Sequence, residues 1–295
     1  MSDNSSARSV VVGVDETPAA QQGVRYAALE ARRLGTSLSI VHVPPGFTRG
    51  AGPSVVPEDV IKAHAIEVLE HARQHAQATT PDLGVHTILV AGNTTVHALV
   101  DSSNEAVLVV LGAERRSFAS RVWTGDIVAG VAAQSTCPVV VVPPEWEPAH
   151  EHGRVVVGVK DPETAAEIVA AGMALADELG AELIIIHAWK APSGYDDLFG
   201  NRSYADEYGR RQTAVLEPLV QAHRAERRDV PVRIEVLHTQ PAHALVSDSA
   251  NADRLLISRP LHGSSLHHLG YVGRAVLNEA RCPVEVHPAG EPRTP

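Results

Sequence analysis

Cysteine is scarce. Cys137 and Cys282 are the only two among 295 residues, so neither a disulfide framework nor a cysteine-ligated zinc site can be assembled within one chain. A reducing cytoplasm is the compartment this shortage suits. Basic residues are also in deficit, with 25 Lys and Arg against 35 Asp and Glu and a net charge of -10. The attraction that supplies non-specific nucleic-acid binding is missing, and no DNA or RNA partner is expected. The longest apolar runs, such as residues 138–142 and 183–188, are far too short to span a bilayer. Residues 1–8 are polar and lack the apolar stretch of a secretion signal. The expectation is a cytoplasmic protein without a membrane partner. No G-x-S-x-G, H-E-x-x-H or G-x-x-x-x-G-K-[ST] string occurs, which removes the usual signatures of a hydrolase, a metalloprotease and a P-loop enzyme.

What the chain does contain is a repeat. Val10-Val11-Val12-Gly13-Val14 returns as Val155-Val156-Val157-Gly158-Val159, an offset of 145, and His42 returns as His187 at the same offset. His97-Ala98-Leu99-Val100 returns as His243-Ala244-Leu245-Val246, and Cys137-Pro138-Val139 as Cys282-Pro283-Val284. Four markers in one order at nearly one spacing indicate a duplicated domain. A proline-rich stretch, residues 143–153, separates the copies and cannot continue a central strand or a helix interior. The expected boundary lies near residue 148, giving domains 1–148 and 149–295.

Each half alternates short β-branched runs with longer helical patterns, the signature of parallel βαβ units. In the first half the spacing predicts strands at 10–14, 38–43, 85–90, 107–111 and 139–142. Their continuous apolar character predicts cover on both faces. Thr17-Pro18 predicts a capped helix start, Asp161-Pro162 predicts the same in the second half, and Gly35 and Gly180 close the two helices after Leu34 and Leu179. In such open sheets ligands sit beyond the carboxyl ends of the strands.

Val10–Val14 with Asp15, the strand ending in Val41-His42-Val43, the run 106–112, and Cys137-Pro138 with the four valines that follow together resemble the universal stress protein family in its tandem form. The resemblance covers about residues 8–288. It implies an α/β chain of two tandem Rossmann-like domains, of the adenine nucleotide alpha hydrolase-like kind, each a five-stranded parallel sheet with helices on both faces. It also implies pairing of last strands, here between the halves. Many members bind ATP through an aspartate after the first strand, backbone after the second, and a G-x2-G-x9-G-[S/T] phosphate loop. Glycines let backbone N–H groups approach phosphates, and the next helix N-terminus favours negative charge.

Carried onto the first half, the resemblance assigns Asp15 to the adenosine, Val43 backbone to the base, and Gly112, Gly125 and Ile127 to the phosphates. Arg115 stands where the second glycine belongs and Asp126 where Ser or Thr belongs. A carboxylate about 4 Å from a phosphate oxygen costs about 4 kcal/mol at an effective dielectric near 20. Arg115, Arg116 and Arg121 offer compensation, and the alternative is that Asp126 caps the next helix. The second half departs further. Lys160 replaces the aspartate, Ile257 or Ser258 the first glycine, and Pro260 or Leu261 the second, while Gly270 survives and is followed by Tyr271. ATP is therefore expected in the first domain only.

The expected role is a regulatory or sensing module and not a turnover enzyme. A nucleotide-independent interaction module is the alternative, and a weak ATPase comes third. An unidentified regulatory protein is the expected partner, and a homodimer is the commonest symmetric assembly. His64, His71 and His75 share one face of a helix predicted over about 57–78 and read as a solvated face. His262, His267 and His268 read as an exposed loop. His42 and His187 read as satisfied structural groups, and the cysteines as buried small hydrophobes. Two irregular stretches, 46–57 and 190–206, are candidates for loops over the clefts.

Overall fold

In the computed structural model, residues 8–44, 56–114, 124–148, 152–190, 202–259 and 269–288 are described. The chain divides into two units between Trp146 and Glu147. In the first, strands β1 Ser9–Val14, β2 Leu38–His42, β3 Val85–Leu89, β4 Ala106–Gly112 and β5 Val139–Val142 pair in parallel in the order β3-β2-β1-β4-β5. Helices α1 Pro18–Arg33, α2 Glu58–Thr79, α3 Thr95–Ser103 and α4 Thr124–Gln134 connect them. The order reverses between β1 and β4, so right-handed crossovers place α1 and α2 on one face and α3 and α4 on the other.

Both faces are dry, which is why the central strands read as unbroken apolar runs. Val10, Val12, Leu38, Ile40, Val110 and Val140 pack with Val24, Ala27, Ala31 and Leu69 on the α1/α2 side. The alternate residues Val11, Val109, Val139 and Val141 are buried as well. β3 is the exception: at the edge of its sheet, it leaves His86, Thr87 and Ile88 exposed.

The second unit repeats the plan with β6 Arg154–Gly158, β7 Glu182–Trp189, β8 Val232–His238, β9 Arg254–Ser258 and β10 Val284–His287, in the order β8-β7-β6-β9-β10. Its helices are α5 Ala166–Leu179, α6 Arg202–Arg224, α7 Pro241–Asp248 and α8 Tyr271–Glu279. α6 begins at Arg202, so the stretch read as irregular over 190–206 ends earlier than expected; residues 191–201, and 45–55 of the other expected loop, lie outside the described residues. No helix among the described residues is long and apolar enough to cross a membrane.

The first-half strands appear where the β-branched runs stand, with ends shifted by one residue at 9, 42, 89, 106 and 112. α1 starts as its cap chemistry dictates: the Thr17 hydroxyl accepts from the Ala20 amide at 3.2 Å, Pro18 opens the helix, and Gly35 turns left-handed at φ 64° beyond Leu34. The equivalent start in the second unit is a correction. Asp161 accepts from the Glu163 amide at 3.2 Å, but this caps only a 3-10 turn, Pro162–Thr164, and α5 begins at Ala166 without a side-chain cap.

A physical reason stands at the facing strand end. A Cβ on Gly112 would lie 1.8 Å from the Ala19 carbonyl oxygen, so only glycine lets the first turn of α1 seat against the end of β4. β9 ends in Ile257-Ser258 and offers no such gap. The second unit instead has a tight helix–sheet contact at Gly172 of α5, where a Cβ would stand 2.4 Å from Val157 Cγ2.

Candidate functional site

Parallel pairing of β2, β1 and β4 sets their carboxyl ends side by side, with Val14 opposite His42 and Val12 opposite Val110. Strands in register stand about 4.8 Å apart, so Asp15 occupies the middle of the row, Val43 one flank and Gly112 the other. Asp15 is exposed while Val43 and Gly112 are partly covered. The crevice these ends border is the switch point of the sheet, where open α/β folds take their ligands.

Local hydrogen bonds hold the aspartate. One carboxylate oxygen of Asp15 accepts from the Thr17 amide at 3.0 Å and from the Thr17 hydroxyl at 2.5 Å, while that hydroxyl accepts from Ala20 and so fixes the turn to the helix. Gly112 stands against this first helical turn, and a Cβ on Gly23 would lie 3.0 Å from the Gly112 nitrogen. The phosphate-loop glycine of the sequence reading is thus also a packing glycine.

Of the remaining expected site residues, Gly125, Asp126 and Ile127 lie in the first turn of α4, which begins at Thr124. Asp126 is therefore inside the helix and not the residue that precedes it. A helix N-terminus aimed at the carboxyl end of the sheet carries unpaired N–H groups and a positive partial charge. Arg115, Arg116 and Arg121, and in the second half His262, His267, His268, Pro260 and Leu261, lie outside the described residues.

The second unit lacks this arrangement. Lys160 follows β6 where Asp15 follows β1, and the carboxylate that makes the turn belongs to the next residue, Asp161. At the ends of β7 and β8 aromatic rings crowd together: Trp189 stacks on His238 at 4.1 Å and lies 4.4 Å from Tyr208 of α6, ring centre to ring centre. Gly270 stands at the N-terminus of α8 and Tyr271 is well exposed.

His42 and His187 play the same part in both halves. His42 Nδ1 donates to the Val14 carbonyl at 2.8 Å and His187 Nδ1 to the Val159 carbonyl at 3.1 Å, tying the ends of neighbouring strands together. A carbonyl only accepts, so Nδ1 carries the proton and Nε2 of His187 accepts from the Tyr208 hydroxyl at 3.2 Å. Burial pushes the His187 pKa below the ordinary value of 6.5, against the opposing pull of the Val159 carbonyl and Asp161. Cys137 and Cys282 are buried, and burial pushes the Cys282 thiol up to about 12, far from a reactive thiolate.

The reading of His64, His71 and His75 as a solvated face holds for His64 and His71, which are exposed, and less well for His75. His64 Nε2 contacts the Glu16 carboxylate, and its Nδ1 lies 3.8 Å from Glu67, so α2 is tied to the turn that carries Asp15. His75 is only partly exposed, and its pKa is lowered by burial, then by His71 and Arg25. The helical spacing of the three histidines was readable; Glu16, a neighbour only in space, was not.

Comparison with known proteins adds a frame to this geometry. The universal stress protein family matches residues 6–143 and 151–288. Universal stress protein Rv2623 of Mycobacterium tuberculosis is 29% identical over 314 residues, covering 97% of this chain and 98% of its own. Universal stress protein Rv1996 of the same organism is 26% identical over 308 residues, with 97% and 96% covered. A universal stress protein crystal structure from Archaeoglobus fulgidus superposes with a TM-score of 0.72 over 97% of each chain at 18% identity, a likeness of fold.

Proposed function

The chain belongs to the universal stress protein family, with two copies of its domain, and from that premise we propose that it is a cytoplasmic regulatory module that binds ATP in its first domain alone. The observation that carries this reading is the asymmetry of the two strand-end crevices. In the first, the Asp15 carboxylate is braced by Thr17 in the middle of the row, beside Gly112 and its closely seated helix. In the second, a lysine takes the aspartate's position and the helix start has withdrawn to Ala166. Asp15 would meet the ribose hydroxyls, Val43 backbone the base, and Gly112 with the first turn of α4 the phosphates. Binding without turnover is the expected use.

The test is to denature freshly purified protein, identify released nucleotide by mass, and titrate ATP calorimetrically into the emptied chain. ATP retained or bound at one site per chain, and lost in Asp15→Ala but kept in Lys160→Ala, is the expected result. A folded protein that carries no nucleotide and gives no heat overturns it. That outcome leaves the second reading, a nucleotide-independent interaction module, which Arg115 and Asp126 in place of a glycine and a Ser or Thr favour.

A further inference from the structure

β5 ends at Val142, and Pro143-Pro144-Glu145-Trp146 complete the first unit. The two prolines have no N–H to give, so this part of the segment is held through carbonyls and side chains, and α1 supplies both kinds of contact. The Gln22 side-chain amide donates to the Trp146 carbonyl at 3.3 Å and to the Pro144 carbonyl at 3.5 Å. One turn further along α1, the Tyr26 ring meets the Trp146 ring edge-on, with centres 5.0 Å apart. The Trp146 amide closes a turn on the Pro143 carbonyl at 3.1 Å, and its indole packs on the core that holds Val24, Val140 and Val142.

The elements that make this clamp are those that border the crevice. Gly112 pairs with Val142, whose carbonyl accepts from Ala113 at 2.8 Å, so the segment departs from the residue laddered to the candidate phosphate glycine. The first turn of α1, fixed by Thr17 and seated on Gly112, runs straight on to Gln22 and Tyr26. From Ala20 to Tyr26 is only about 9 Å of helix, so a shift of the first turn is a shift of the clamp. The repeat does not keep these residues: at the offset of 145, Glu167 stands for Gln22 and Ala171 for Tyr26. The clamp therefore belongs to the unit that keeps the aspartate and not to the fold at large. It is also light. Its amide contacts lie at the outer edge of hydrogen bonding, and Gln22 and Trp146 are only partly buried, so local opening costs far less than unfolding.

We propose that Gln22, Tyr26 and Trp146 form a latch that couples occupancy of the first-unit crevice to docking of the connecting segment on α1. The inference rests on the reading of that crevice as a nucleotide site. A nucleotide lying across Asp15 and Gly112 holds the first turn of α1 against β4 and so favours the latched segment. Coupling between sites is reciprocal: release of the latch weakens nucleotide binding by the factor by which the nucleotide tightens the latch. Two consecutive prolines stiffen the segment, so a change at Trp146 is passed on to the residues that follow.

The experiment follows amide hydrogen exchange at Trp146 in the full chain with and without ATP, and titrates ATP calorimetrically into the same preparation. ATP is expected to slow exchange of the Trp146 amide by about fivefold, the lower reach of coupling between sites. The Asn104 amide, which donates to Asp101 at the end of α3, should not change. Gln22→Leu removes the side-chain amide and keeps the bulk; it should speed exchange at Trp146 in the nucleotide-free chain and weaken ATP binding by up to the same factor. Should the leucine disturb α1, Gln22→Ala, a residue that suits a helix, repeats the measurement. Heat of ATP binding with unchanged exchange at Trp146, equal slowing at Asn104, or undiminished ATP affinity in a Gln22 variant that exchanges faster at Trp146 overturns the latch and leaves nucleotide binding standing. Absence of both heat and slowing overturns the reading of the crevice, and the latch with it.

Discussion

Gly112 shows how one residue carries two meanings. Resemblance alone made it a phosphate-loop glycine; the structure adds that its missing Cβ is space filled by the Ala19 backbone, at 1.8 Å from the oxygen and 2.3 Å from the carbonyl carbon. Gly112→Ala must push α1 off β4 whether or not a nucleotide binds. The expected loss is about 3 kcal/mol in chemical unfolding, at the upper end of overpacking costs, whereas Gly84→Ala, which meets only Ser37 Cβ at 3.7 Å, should stay within about 0.5 kcal/mol. No local pattern announces the Ala19 contact, because it joins residues far apart in the chain. The histidines were more legible: the offset of 145 between His42 and His187 marked them as equivalent, though not their carbonyl partners. His187 also sets a pH dependence. Its folded pKa lies below 6.5 chiefly because it is buried, so the unfolded chain takes up the proton first. Stability is then complete above about pH 6.5 and falls as the pH drops below it. Unfolding midpoints measured from about pH 8 to pH 5 should decline over that interval and decline less in His187→Gln; an equal slope in the variant would remove His187 from the account.

At the scale of elements, strands and helix starts followed from local chemistry and failed where a distant partner intervened. The valine runs located the first-half strands because both faces of each central strand are buried, and Thr17-Pro18 located α1 because the cap is made by neighbours in sequence. Asp161-Pro162 carries the same local signal but opens only a 3-10 turn, since the facing strand ends in Ile257-Ser258 where the first unit has a glycine. The long helix α6 holds two poor helix formers, Gly209 and Pro218. A Cβ on Gly209 would meet nothing closer than Val236 Cβ at 4.0 Å, so no clash opposes it. Gly209→Ala should therefore stabilise the protein by about 0.5–1 kcal/mol, the cost of glycine in a helix interior. A denaturation midpoint raised with an unchanged slope is the expected observation; a loss of stability would mean that residues of α6 approach the sheet more closely than this geometry allows.

At the scale of the molecule, duplication produces two five-stranded units of one strand order with unequal strand-end crevices. The shared topology was legible because a repeat of four markers needs no knowledge of contacts. The inequality was legible only in part: Lys160 against Asp15 could be read, but the withdrawn start of α5 and the Trp189–Tyr208–His238 cluster depend on neighbours that the repeat does not reveal. The inequality has a consequence that separates the halves without mutation. A ligand that binds the folded state stabilises it by about 2.7 kcal/mol at a hundredfold excess over its Kd, and local opening is suppressed where the ligand touches. Hydrogen exchange with saturating ATP should slow at the amides of Asp15, Thr17 and Ala20 and in the first turn of α4. The corresponding amides of the second half, from Val159 to Ala165 and at Ser258, should exchange as they do without nucleotide. Protection of both sets equally would mean that Lys160 and the displaced helix start do not disable the second crevice; protection of the second set alone would reverse the assignment. Equal protection would place the asymmetry outside nucleotide recognition, whereas protection of the first set alone ties it to the one turn, Asp15 to Ala20, that Gly112 allows to sit against β4.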